Sequence, residues 1–83
     1  MSDVIHVEVR FDEDGEILPL AFVWKESRFS VLALGRQWQK GLRRHFLVMT
    51  SGEQVFEIIF NEEAGSWCMG RSPTEFKRNG KRV

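Results

Sequence analysis

The sequence predicts an all-β domain of five or six short antiparallel strands, a meander forming a strongly twisted sheet or a small, partly open barrel. Three observations predict it. Apolar and polar residues alternate with period two in several runs, turn-forming residues separate those runs, and the joining segments are only a few residues long.

The first run is Ile5-His6-Val7-Glu8-Val9-Arg10-Phe11, in which Ile5, Val7, Val9 and Phe11 share a buried face and His6, Glu8 and Arg10 the solvated one. Asp14-Gly15 follows, a pair that tolerates positive φ and suits a hairpin turn. A second strand is predicted over residues 17–24. Pro19 falls near its start, where a missing N–H is tolerated, and Leu20, Phe22 and Trp24 form its buried face. After a turn at Lys25-Glu26-Ser27, the apolar segment 28–34 is read as a third strand in preference to a helical turn. Residues 35–43, polar and with glycines on both sides of Trp38, are read as a strand end plus a loop. Segments 45–50 and 55–60 flank Ser51-Gly52-Glu53 as a hairpin, and Asn61 to Gly65 turns into a last strand around Ser66-Trp67-Cys68-Met69. No internal repeat is visible. Residues 1–72 thus form one β domain, and residues 73–83, where alternation stops and the charge turns basic, are expected to be a flexible C-terminal tail.

Eighty-three residues support one core and little surplus stability, since a domain of this size buries only about 60–65% of the surface of its unfolded chain. Twelve basic residues balance twelve acidic ones, so net charge by itself argues for no class of partner. The single cysteine, Cys68, excludes an intramolecular disulfide and a Cys-rich zinc site, which fits a reducing cytoplasm. The start of the chain lacks the cationic and long apolar regions of a signal peptide. No stretch approaches the ~20 apolar residues of a membrane helix. A cytoplasmic protein without membrane association is therefore expected.

Catalytic chemistry finds little support. His6 falls on the polar phase of its strand and His45 at a strand entrance beside Arg43 and Arg44, neither with a closely spaced co-ligand, so structural or surface roles are expected for both. Asp12 and Asp14 lack the distal acidic ligands of a calcium loop. Cys68, between Trp67 and Met69, reads as a structural thiol. No phosphate-cradling glycine loop and no nucleophile elbow occur. The sequence therefore predicts no enzyme, no cofactor and no metal.

The order of several short pieces resembles a small uncharacterised bacterial family, one of the domains of unknown function. They are Ile5-x-Val7-x-Val9, Asp14-Gly15, Pro19-x-x-Phe22-x-Trp24, Arg28-Phe29-x-Val31, Trp38, Arg44-x-Phe46-x-Val48-x-Thr50, Gly52, Val55-Phe56-Glu57 and Gly65-x-Trp67. Members occur as short stand-alone proteins and are associated with translesion-polymerase-like proteins. The chain departs from the family at Glu26-Ser27, where a glycine is usual, and at Phe29 and Phe46, where tyrosines are usual. The resemblance implies a β fold and a DNA-repair context, and carries no catalytic residue across.

Charge is unevenly distributed along the chain. Residues 1–16 hold six acidic groups against Arg10, whereas residues 25–44 hold Lys25, Arg28, Arg36, Lys40, Arg43 and Arg44 against Glu26. Such a distribution predicts a non-catalytic binding module, monomeric or weakly dimeric. It would take a protein partner of unknown identity through an exposed strand edge or aromatic patch. The alternative is weak binding of single-stranded nucleic acid, with Arg28, Arg36, Lys40, Arg43, Arg44, Arg71, Lys77 and Arg78 contacting phosphates and Trp38 stacking on a base.

Overall fold

A computed structural model describes residues 3–80, with side chains through Phe76. The first alternating run forms β1 (Val4–Phe11), and the following strands are β2 (Ile17–Trp24), β3 (Ser27–Ser30), β4 (Ala33–Lys40), β5 (Arg43–Thr50), β6 (Gln54–Asn61) and β7 (Ser66–Met69). A single 3-10 turn, Ser51–Glu53, joins β5 to β6, and helix α1 (Pro73–Gly80) follows β7. Residues 73–80 of the basic C-terminal segment are therefore helical, and residues 81–83 lie outside the described residues.

The seven strands among the described residues make one antiparallel sheet in the order β3-β2-β1-β7-β6-β5-β4, curled into a half-barrel. The all-β, antiparallel, curled sheet agrees with the expectation, whereas the count is seven strands in place of five or six and the order is two joined meanders in place of one. Two meanders, β1-β2-β3 and β4-β5-β6-β7, are joined where β1 pairs with β7, Val4 opposite Cys68 and Ile5 opposite Trp67. The extra strand arises because the segment read as one strand over residues 28–34 changes partner midway. Val31 N donates to Leu20 O at 2.8 Å and Leu32 N to Met49 O at 2.7 Å, so the chain leaves β2 and joins β5 within two residues. Consequently β3 and β4, the two ends of the sheet, are consecutive in sequence. The sheet has to curl until they meet at this joint.

Curling builds the core. Ile5, Phe22, Phe46, Val48, Phe56, Ile58 and Met69 are buried on the concave face. There Phe22 packs against Phe29 at 5.2 Å and edge-on to Phe56 at 5.0 Å, joining the β2-β3 half to the β6 half. The buried face of β2 differs from the period-two expectation. A bulge opposite Glu8 and Val9 skips Leu20 in the pairing, so Ala21 faces Glu8 and Pro19 faces Val9. Leu20 is 46% exposed in consequence, while Phe22 keeps its place in the core and Trp24 packs beside it. Phe11, placed inside by alternation, is 63% exposed because it ends β1 beyond the core.

Residues 35–43 are mostly strand. Lys40 pairs with Arg43 around Gly41-Leu42, and Gly41 has φ +60°, the conformation a two-residue type II′ hairpin requires at its first central position. The segment expected to be a strand end plus a loop is instead the body of β4 and the turn of an edge hairpin, β4 and β5.

Candidate binding surface

Side-chain phase on β5 is set by Phe46 and Val48, which are fully buried on the concave face, so His45 between Arg44 and Phe46 points to the convex face. Its cross-strand partner is Trp38, and Arg43 is opposite Lys40. Arg36, Trp38, Lys40, Arg43 and His45 therefore share one convex surface. β4 is the last strand of the sheet, and its side away from β5 has no strand partner among the described residues.

A chain of side-chain contacts crosses this surface from the edge inward. The Arg36 guanidinium carbon lies over the Trp38 ring, 5.7 Å from its centroid. Trp38, half-buried, lies flat against His45, with ring centroids 4.9 Å apart and planes 12° from parallel. His45 Nδ1 is 2.7 Å from Glu57 Oε2. An ionised carboxylate only accepts hydrogen bonds, so the Nδ1 proton faces Glu57. Glu57 Oε1 in turn accepts from Arg71 Nε at 2.9 Å and from Arg71 N at 3.2 Å. The Arg71 guanidinium carbon lies over the Phe76 ring of α1, 4.5 Å from its centroid.

Glu57 is the pivot of this chain. Its residue is only 7% exposed. Burial pushes the carboxyl pKa up, but the hydrogen bonds from Arg71 and His45 together with the Arg71 charge outweigh it, and the pKa lies below its ordinary value. The segment after β7 fits around it, with Glu57 N donating to Arg71 O and Gly70 N to Glu57 O.

The structure gathers some of the basic residues expected at a binding site and separates others. Arg36, Lys40 and Arg43 are exposed, flank Trp38, and pair with no carboxylate among the described residues. Arg44 is on the opposite phase, near Glu16 at 3.6 Å and Glu62 at 4.0 Å. Arg28 is on β3, in the other half of the sheet, and forms a two-point contact with Glu8 at 3.1 and 3.2 Å. Arg71 is engaged by Glu57. Lys77 and Arg78 belong to α1, and their side chains lie outside the described ones.

Sequence reasoning missed His45 and Glu57 as partners of Trp38. One signal was present, since Glu57 interrupts the otherwise apolar run Val55-Phe56-Glu57-Ile58-Ile59-Phe60. A carboxylate on such a strand needs a partner. No spacing rule names that partner when it comes from Arg71 and from another strand.

Beside Trp38 lies a cavity of about 190 Å³ lined by Gln37, Trp38, Gln39, Arg44, His45 and Phe46. It is below the ~300–1,000 Å³ of typical small-molecule sites. A larger cavity of about 550 Å³ lies between the Ser51–Glu53 turn and α1, where Glu53 is the one ionisable lining residue among the described residues. No group of three or more His, Cys, Asp or Glu side chains arranged for a metal occurs among the described residues, and none of their helices is long and apolar enough to cross a membrane. Compared with family models, with curated proteins and with solved structures, the chain matches none.

Proposed function

We propose that this protein is a small non-catalytic binding module that takes a protein partner along the free edge of β4. The observation that carries the proposal is an edge strand without a second strand partner among the described residues, with Trp38 in its C-terminal half and Arg36 and Lys40 on either side. An open edge offers backbone hydrogen bonds to an added strand, and alternate side chains on that strand supply selectivity. Trp38 gives a preorganised aromatic contact, because His45 and the buried Glu57 hold it in place. Resemblance to the family associated with translesion-polymerase-like proteins supports a DNA-repair setting in the bacterial cytoplasm. The proposal describes a monomer or weak dimer.

A second reading, weak binding of single-stranded nucleic acid, is favoured by the three cations Arg36, Lys40 and Arg43 around an aromatic ring, none of them paired among the described residues. Against it, one face of Trp38 is taken by His45, and Arg36 lies over the ring. The test is affinity capture from native cells with and without nuclease, using the intact chain and the double variant Arg36→Glu, Lys40→Glu. A protein captured after nuclease treatment and lost with the double variant supports the edge reading. Capture abolished by nuclease overturns it in favour of nucleic acid.

A further inference from the structure

We infer that the partner of the β4 edge is an extended acidic segment of the pattern acid-x-apolar-x-acid. This rests on the β4-edge reading and adds the chemistry of the partner.

β4 is irregular at Gly35-Arg36, where two residues oppose Leu47, and Arg36 lies on the Trp38 side of that bulge with its guanidinium over the Trp38 ring. On a strand added beside residues 36–40, the positions opposite Arg36, Trp38 and Lys40 alternate on one face. The two cations lie four residues apart, with Trp38 midway. Carboxylates opposite Arg36 and Lys40 and an apolar side chain opposite Trp38 satisfy all three at once. Arg43, across the hairpin from Lys40, adds positive charge at that end. The protein's own nearby carboxylates are committed elsewhere: Glu16 and Glu62 contact Arg44, Glu8 binds Arg28, and Glu57 binds Arg71. The positive charge along β4 thus awaits an external counter-charge.

The same pattern disfavours a second copy of this chain. Antiparallel pairing of two β4 strands centred on Trp38 would place Arg36 opposite Lys40 twice, and like charges directly opposed are destabilising. The other free edge, β3, is four residues long and carries Arg28, so it offers no acidic complement either. Cations on an edge strand often serve only to prevent such self-pairing. A tryptophan stacked between the two cations on His45, itself held by a buried carboxylate, goes beyond what prevention requires. It adds apolar area and fixed geometry where a protective edge would expose polar side chains.

The test measures fluorescence anisotropy of labelled, end-capped peptides of about eight residues, the length of β4, titrated with the intact chain. The core Glu-Thr-Val-Thr-Glu is expected to bind. Its Gln-Thr-Val-Thr-Gln counterpart is expected to bind about tenfold more weakly, and Lys-Thr-Val-Thr-Lys not measurably. Two further acidic peptides are N-methylated on one or the other alternate set of residues, and one of them is expected to lose binding. With Arg36→Glu, Lys40→Glu the preference between the Glu and Lys peptides is expected to invert, a readout that loss of folding cannot produce. Equal binding of the Glu and Gln peptides overturns the acidic pattern and leaves the edge reading standing. Full binding by both methylated peptides overturns edge pairing itself. Binding of an oligothymidylate with no binding of the acidic peptide overturns both.

Discussion

Gly70 leaves the space that Glu57 occupies: a Cβ built on Gly70 would stand 2.8 Å from Glu57 Cδ and 2.9 Å from Cγ. Two carbons of a buried side chain would therefore have to move, taking the carboxylate away from His45 and Arg71. Gly70→Ala is expected to destabilise the fold by about 1–3 kcal/mol, the range for loss of hydrogen bonds to a charged group. Chemical denaturation measures this, and a wild-type midpoint would mean that Glu57 can swing aside at no cost.

The low pKa of Glu57 makes stability depend on acid. The folded value lies below that of the unfolded chain, near ~4.3 for an ordinary glutamate. Its contribution is therefore fully present above that pH and is lost as pH falls through the folded pKa. Glu57→Gln is expected to lose about 1–3 kcal/mol at neutral pH and to decline less steeply on acidification. Denaturation midpoints across acidic pH test this, and parallel curves for the two proteins would remove Glu57 from the acid response.

Lys25 and Glu26, the central residues of the β2-β3 turn, have φ of 51° and 66°, as a type I′ turn requires. Neither is glycine or asparagine, and a left-handed backbone costs such residues about 1–2 kcal/mol. Glu26→Gly returns part of this while adding freedom to the unfolded chain. A net gain of about 0.5–1 kcal/mol is expected, read as a higher melting temperature. A lower one would show that the turn is not strained.

Thr50 is 4% exposed, and its hydroxyl finds no hydrogen-bond partner among the described residues. A buried hydroxyl without a partner costs about 1–3 kcal/mol, so Thr50→Val, similar in shape, is expected to be neutral or to stabilise by about 1 kcal/mol. A clear loss of stability would reveal a partner for the hydroxyl.

The β2 bulge separates two residues that strict alternation treats alike. Phe22→Ala removes a ring that is 1% exposed and is expected to cost about 3–5 kcal/mol. Leu20→Ala removes an exposed side chain and is expected to cost under about 1 kcal/mol. Comparable losses would place Leu20 back on the concave face.

Most of the β structure was legible because strand alternation and turn chemistry are local. Ile5, Val7 and Val9 share a face through the geometry of one extended backbone, and Gly15 and Gly65 take the positive φ their turns demand. Gly41-Leu42 was an equally local hairpin signal, and the polar residues around Trp38 hid it because an edge strand needs no apolar alternation on its solvated face. Tertiary structure alone decided the rest. The bulge that frees Leu20 depends on how β2 meets β1, and the break at Val31-Leu32 depends on two partners distant in sequence, Leu20 and Met49. The candidate surface has the same origin. Arg36, Trp38, His45, Glu57, Arg71 and Phe76 come from three strands, the segment after β7 and a helix, and they form a continuous row only once long-range register sets which side chains stand opposite one another. Period two tells each strand which of its residues share a face. Which strands are neighbours, and at what offset, is settled by packing the curled sheet around a single core.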